Sequence, residues 1–351
     1  MTIPELEWRT LTTAVNSIKS PNQFVRKMLF SNREAVATNN IDIGLMSKGR
    51  EIAPFVKENG EGKMVAGYDE SIRTVKPTNM RIKRPFTPSE LLYGRRVNTA
   101  IYVDSGSQLS AVQRHIARDL QVMSDYVTNG EEYLCCMALQ GTISYVNEDQ
   151  DAFNVAFPRS AGHTVTLSTF WDDATPANVR MEADFFLAKK LLSDAEGLTV
   201  TDAIFGEEAT ATFQELVATG VVKVLDQRHV MAGEVTFIEQ FNDDGAIYLG
   251  KVFGVRCWAY IRTALVNGVS TSMIRSKYVE FVSVSPTSDR IIYYGSIPDM
   301  KLLRGGSVVA ERFSKSWEIE DPSSMMSLLH SRPIPVPRKP DATVSMKVVS
   351  G

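Results

Sequence analysis

The closing segment carries the most information: Glu311-Arg312-Phe313-Ser314-Lys315-Ser316-Trp317, then Asp321-Pro322, then Ser331-Arg332-Pro333, and last Pro340-Asp341-Ala342-Thr343-Val344-Ser345-Met346-Lys347-Val348. A basic-aromatic run is followed by a turn-forming Asp-Pro, an apolar stretch and a final strand opened by Pro-Asp. Three prolines in Pro333-Ile334-Pro335-Val336-Pro337 exclude a helix or a central strand, because each lacks an N–H. This stretch is expected to run extended along the surface before the last strand, Ala342 to Val349.

Outward from that segment, the chain reads as an ordinary globular protein. Its 351 residues are 44% hydrophobic and 23% charged, enough for one or two domains with a buried core. The formal net charge of -3 argues against binding that gains affinity by neutralising many phosphates, hence against sequence-specific DNA recognition. Cys135 and Cys136 are adjacent, Cys257 is distant, and no CxxC pair exists, so buried reduced thiols are expected and no zinc site. No run of eighteen apolar residues implies a membrane span. The opening Met1-Thr2-Ile3-Pro4-Glu5-Leu6-Glu7 lacks a basic stretch ahead of an apolar one, so no secretory signal is read.

Residues 1–48 read as an arm. Phe24, Val25, Met28, Leu29 and Phe30 form a short apolar helical cluster flanked by Arg26 and Arg33, expected to dock on another surface. Residues 49–83 read as a long, charged, projecting hairpin whose tip is Asn59-Gly60-Glu61-Gly62-Lys63. The strongest helix covers 109–140, where Val112, Ile116, Leu120, Met123, Val127, Leu134 and Met137 hold one phase. Asn129-Gly130 interrupts it, at about 1 kcal/mol for the glycine, and a break there is the alternative. Beyond lie a hairpin at 142–157 with an acidic tip and helices at 176–195 (Thr175 cap, Pro176 first) and 209–218, the latter stopped by Gly220. Strands are read at 200–205, 235–240, 246–253, 255–261, 278–284 and 291–294, with a turn at Asn267-Gly268. Helices alternating with strands give an α+β or α/β layered domain.

Chemical motifs fail when tested. Gly60-Glu61-Gly62-Lys63 is followed by Met64, whereas a phosphate loop needs Ser or Thr there to hold magnesium. No GxSxG elbow occurs. His115, His163, His229 and His330 are too far apart to share a helical metal-ligand spacing. Asn242-Asp243-Asp244-Gly245 lacks the spaced carboxylates of a calcium loop and reads as a solvated turn. Arg81, Lys83, Arg84, Arg95 and Arg96 form the most basic stretch, suited to a neighbouring subunit's carboxylates or, less well, to nucleic acid. No catalytic, cofactor or metal site is assigned, and no enzyme activity.

The order of these features resembles the major capsid proteins of lambda-type tailed phages, the capsid protein E family. The closing Arg-aromatic-x-Lys-x-Trp run, the Asp-Pro, the Pro-Asp strand and Val75-Lys76-Pro77 carry the likeness; 142–230 is alike in placement only. The resemblance implies an α+β tailed-phage major capsid fold of the Hong Kong ninety-seven type. It would comprise an N-terminal arm at 1–48, an extended loop at 49–83 and a peripheral domain at 84–149 with spine helix 109–140. A mainly axial domain at 150–290 would follow, and 291–351 would return to the peripheral side. It implies a shell protein assembling as hexamers and pentamers into an icosahedral head around double-stranded DNA, bound without sequence specificity. Scaffold, portal and decoration proteins would be partners, the virion the destination and the host cytoplasm the place of assembly. A bacterial nanocompartment shell is the alternative, with an α/β enzyme behind it. Candidate inter-subunit contacts are Phe24, Arg26, Phe30, Asn59, Gly60, Lys63, Arg73 and Lys76.

Overall fold

The computed structural model describes residues 11–12, 15, 23–47, 69–87, 105–146, 152–160, 162–175, 178–220, 245–285, 289–299, 310–321 and 323–351. In chain order the elements are α1 (Phe24–Leu29), β1 (Asn32–Ala35), β2 (Ile41–Ser47), β3 (Asp69–Val75), β4 (Met80–Phe86), α2 (Ser105–Leu139), β5 (Thr142–Val146), β6 (Ala152–Ala156) and β7 (Thr164–Thr166). Then come α3 (Met181–Glu196), β8 (Asp202–Phe205), α4 (Glu207–Ala218), β9 (Ile247–Val252), β10 (Val255–Ala259), β11 (Thr263–Val266), β12 (Val269–Ser272) and β13 (Tyr278–Val282). The chain closes with β14 (Arg290–Tyr294), β15 (Phe313–Ile319), β16 (Ser324–Ser331), β17 (Pro333–Pro337) and β18 (Thr343–Lys347).

The apolar phase around residue 120 becomes one continuous helix, α2, of 35 residues and about 52 Å. Leu120, Met123, Val127 and Leu134 of that phase are buried. The helix does not break at Gly130, and packing accounts for the glycine. A Cβ there would lie 2.9 Å from Met80 Cε, so the missing side chain lets β4 approach the helix. Two three-stranded sheets, β1-β14-β17 and β15-β16-β4, lie on the side of α2. Leu11 and Val15 join Leu120, Met123, Val127 and Leu329 in one apolar cluster there.

A six-stranded sheet, β7-β18-β13-β8-β10-β9, forms the second body of structure. Its pairing is mixed, with β8 parallel to β10 and antiparallel to β13. Trp171, Phe185 of α3, Phe213 of α4, Phe205 and Phe281 fill one apolar cluster against it. Gly206 turns β8 into α4 beneath the 275–276 backbone, where a Cβ would collide with the Arg275 carbonyl. Helix α3 begins at Met181, five residues beyond the expected Pro176. The Thr175 carbonyl instead closes an earlier turn by accepting from Asn178 N–H at 2.9 Å.

Two expectations about the closing segment are corrected. Pro333–Pro337 is fully buried and is a strand, antiparallel to β14. Spacing by two makes this workable, because all three proline nitrogens face away from β14 at the sheet edge. The N–H groups of the other parity face the ladder, as when Arg338 donates to Asp289 at 2.7 Å. The final strand does not return to the long helix. After a 3₁₀ turn at Pro340–Ala342, β18 inserts between β13 and β7, and buries Val344 and Met346 in the cluster of the six-stranded sheet.

The hairpin expected at 49–83 begins earlier in the chain. β2 pairs with β3 antiparallel, Ile41 opposite Val75, so its outgoing strand starts at Ile41 rather than 49. β4, read as part of its return arm, pairs with β16 in another sheet. Residues 48–68, including Asn59, Gly60 and Lys63, lie outside the described residues, as do strand 235–240 and Arg95 and Arg96.

Candidate functional site

The last third of α2 carries adjacent acids, Glu131 and Glu132, both fully buried. Each holds a different part of the chain. Glu131 bridges two arginines: Arg26 Nη2 lies 3.0 Å and Arg312 Nη2 3.1 Å from the same oxygen, Oε2. Tyr294 Oη donates to Glu131 Oε1 at 3.4 Å. Arg312 also donates to Thr128 Oγ1 at 2.8 Å and to Ser124, one and two turns back along α2. Burial works against the Arg26 charge, but Glu131, with Tyr294 beside it, outweighs that and holds the guanidinium more firmly than usual.

Glu132 takes the start of α1. Its Oε1 accepts from Val25 N–H at 2.8 Å and Tyr260 Oη at 3.0 Å, and its Oε2 accepts from Arg26 N–H at 3.0 Å. The Val25 and Arg26 donors are N–H groups that a helix leaves unsatisfied at its start. Burial raises the Glu132 carboxyl above its ordinary range, and these hydrogen bonds pull the other way.

This arrangement corrects the expectation for three candidate contact residues. Phe24, Arg26 and Phe30 do not face another molecule; their own chain buries them, with exposures of 3%, 3% and 0%. Phe24 packs 5.2 Å from Trp258 and 5.6 Å from Tyr260, ring centre to ring centre. A six-residue helix is too short to hold itself together in water, so α1 exists because α2 and the Trp258–Tyr260 strand end receive it. Sequence reading missed Glu131, Glu132, Tyr260 and Tyr294. The available signal was two adjacent acids inside an otherwise apolar phase.

Arg73 and Lys76 are exposed. They line an open groove of about 570 Å³ between β3 and β6, together with Ile43, Val75, Phe153, Val155 and Phe157. The β5–β6 ribbon has a definite sidedness. Phe157 N–H donates to Gly141 C=O, so odd-numbered residues of β6 turn inward to β5 and even-numbered ones outward. The outward Ala156 carbonyl accepts from Arg73 at 3.5 Å. On the opposite edge the outward Val146 carbonyl accepts from Asn267 Nδ2 at 2.9 Å. The groove and the β11–β12 hairpin therefore flank the ribbon on opposite sides.

Several further reactive side chains among the described residues are engaged by their own chain. Cys135 and Cys136 are buried free thiols, pushed well above their ordinary range by burial first and Glu132 next. The His163 ring lies 3.2 Å from the Thr343 carbonyl. Buried His330 meets Asn79, and burial, then Arg81 and Arg332, lower it to about 4. Arg84 of the basic stretch pairs with Asp119 of α2 at 2.9 Å. Among the described residues no three His, Cys, Asp or Glu side chains gather as a metal site, and no helix is long and apolar enough to cross a membrane.

Comparison with known proteins gives one family match, described as phage major capsid protein E, across residues 7–348. No curated protein matches by sequence. Among solved structures, a candidate capsid protein of a prophage in E. coli CFT073 is 15% identical, with a TM-score of 0.70 over 97% of this chain and 99% of that one. A phage-related protein from Bordetella bronchiseptica RB50 is 13% identical, with a TM-score of 0.52 over 97% and 96%. The capsid of Ralstonia phage GP4 is 11% identical, with a TM-score of 0.50 over 91% and 85%. At such identities the structural likeness speaks for the fold, which is that of the tailed-phage capsid proteins.

Proposed function

The chain belongs to the phage major capsid protein E family, and from that premise we propose that its copies gather as hexamers and pentamers into the icosahedral head of a tailed phage. The family role is structural: the protein forms the capsid of the virion. The family match along nearly the whole chain carries the reading. In this account the α2 layer, with the sheets β1-β14-β17 and β15-β16-β4, is the peripheral part of the subunit. The six-stranded sheet with α3 and α4 is the axial part, nearer the capsomer centre.

The β2–β3 hairpin reaches from its own subunit to the next. Asn59, Gly60, Lys63, Arg73 and Lys76 make contacts between subunits. A scaffold guides closure in the host cytoplasm, a portal occupies one vertex and a decoration protein can bind outside. Packaged double-stranded DNA meets the inner surface without sequence recognition, consistent with a net charge of -3. A nanocompartment shell is the other product such a fold can build. It would close into small particles without a portal.

Negative-stain electron microscopy of the purified chain tests the proposal. Closed shells tens of nanometres across, or rings of five and six, are expected; a strictly monomeric chain at every concentration and salt contradicts it. Removal of Asn59–Lys63 is expected to leave a folded monomer with impaired assembly.

A further inference from the structure

We infer that the β11–β12 hairpin of one copy seats in the β3–β6 groove of the next, joining neighbouring copies head to tail. The inference rests on the shell-forming reading above and supplies it with a specific contact.

The hairpin has the properties of a plug. Leu265 is 79% and Val269 65% exposed, high values for apolar side chains fixed in strands. Thr263–Ser272 carries no charge. The hairpin pairs with no further strand among the described residues, and a lone two-stranded ribbon is marginally stable in water. Its tip is nevertheless held in place. Asn267 and Gly268 adopt φ of 50° and 79°, a turn suited to two-residue hairpins, and Asn267 is tied to Val146. An anchored tip loses little freedom on docking.

The groove has the properties of a socket. Its lining sets half-buried Val75, Phe153 and Val155 among exposed Arg73, Thr74, Lys76 and Asn154, and β3 and β6 each pair with one strand only among the described residues. A neutral hairpin brings no like charge to the exposed Arg73 and Lys76. Because plug and socket flank opposite edges of the β5–β6 ribbon, one copy cannot fill its own groove. A two-fold contact would seat both plugs reciprocally and stop at a dimer. A head-to-tail contact leaves a plug and a socket open at its ends, and repeated contacts of that kind close into the rings that a shell needs.

Mixed assembly tests this. Leu265→Cys and Asn154→Cys place single thiols on the plug and on the exposed rim of the socket; the native cysteines are buried. Shells assembled from a mixture of the two variants and treated with a short bismaleimide are expected to yield crosslinked dimers, and shells of either variant alone none. Mixed shells without dimers, or dimers from Leu265→Cys alone, overturn the inference and leave the shell-forming reading intact. A wild-type chain that forms no shell overturns both. The Leu265→Asp/Val269→Asp double variant is expected to keep the wild-type melting temperature and to need at least about tenfold more protein to assemble. Assembly at the wild-type concentration would count against the inference.

Discussion

The last third of the long helix and the β11–β12 flank of the β5–β6 ribbon depart from the usual placement of side chains in opposite directions. At Glu131 and Glu132, charged groups sit inside the protein, each satisfied by partners from the amino-terminal helix, the Tyr260 strand end and the closing segment. Beside the ribbon, Leu265 and Val269 of the β11–β12 hairpin stand largely exposed. The first region does its work within one subunit, tying together residues up to 268 positions apart. The second has no work to do within one subunit, and its use must come from another. Stability and assembly are therefore separable, and substitutions can pull them apart.

The largest effect is expected from Glu131→Ala, which strands Arg26 and Arg312 without their shared carboxylate in the interior. Loss of one partner from a buried ion pair costs about 3–5 kcal/mol, measurable as a drop in the urea midpoint. Glu132→Ala should cost somewhat less, about 2–4 kcal/mol, because it leaves the donors of Val25, Arg26 and Tyr260 unpaired but no cation uncovered. It should also expose α1 to limited proteolysis before the rest of the chain. Gly206→Ala comes next, at about 1–3 kcal/mol, since the new methyl meets backbone rather than a movable side chain.

A smaller effect should follow pH through His330. Its folded pKa is about 4, below the ordinary 6.5, so the unfolded chain binds the proton more readily. Its contribution is complete above about pH 6.5 and is lost as pH falls towards 4. His330→Asn should flatten that part of the curve of urea midpoint against pH. The smallest effect on the subunit is expected from Arg73→Glu with Lys76→Glu, within about 0.5 kcal/mol of wild type because both side chains are exposed. That pair should nevertheless impair assembly, and a variant that assembles normally would remove these residues from the contact.

The long helix was legible because a 3.6-residue period needs no knowledge of its neighbours. The glycine within it was not, since the reason for Gly130 is Met80, fifty positions away. Phe24 and Phe30 looked like a detached cluster for the same reason: nothing local announces that Glu132 will take up the start of their helix. Pro333–Pro337 was misplaced by a rule that is sound for central strands, but an edge strand with prolines at alternate positions satisfies it. The turn at Asn267-Gly268 was visible in two residues, whereas the exposure of Leu265 and Val269 was not. A four-residue strand looks the same in sequence whether or not its own chain covers it.

Sedimentation velocity of the wild-type chain beside the Arg73→Glu/Lys76→Glu variant, at matched concentration and salt, tests the separation of subunit stability from assembly most directly. The account predicts that the wild type partitions into fast-sedimenting particles while the variant, melting at the same temperature, remains slow. A wild type that stays monomeric throughout, or a variant that unfolds as it loses assembly, would contradict it.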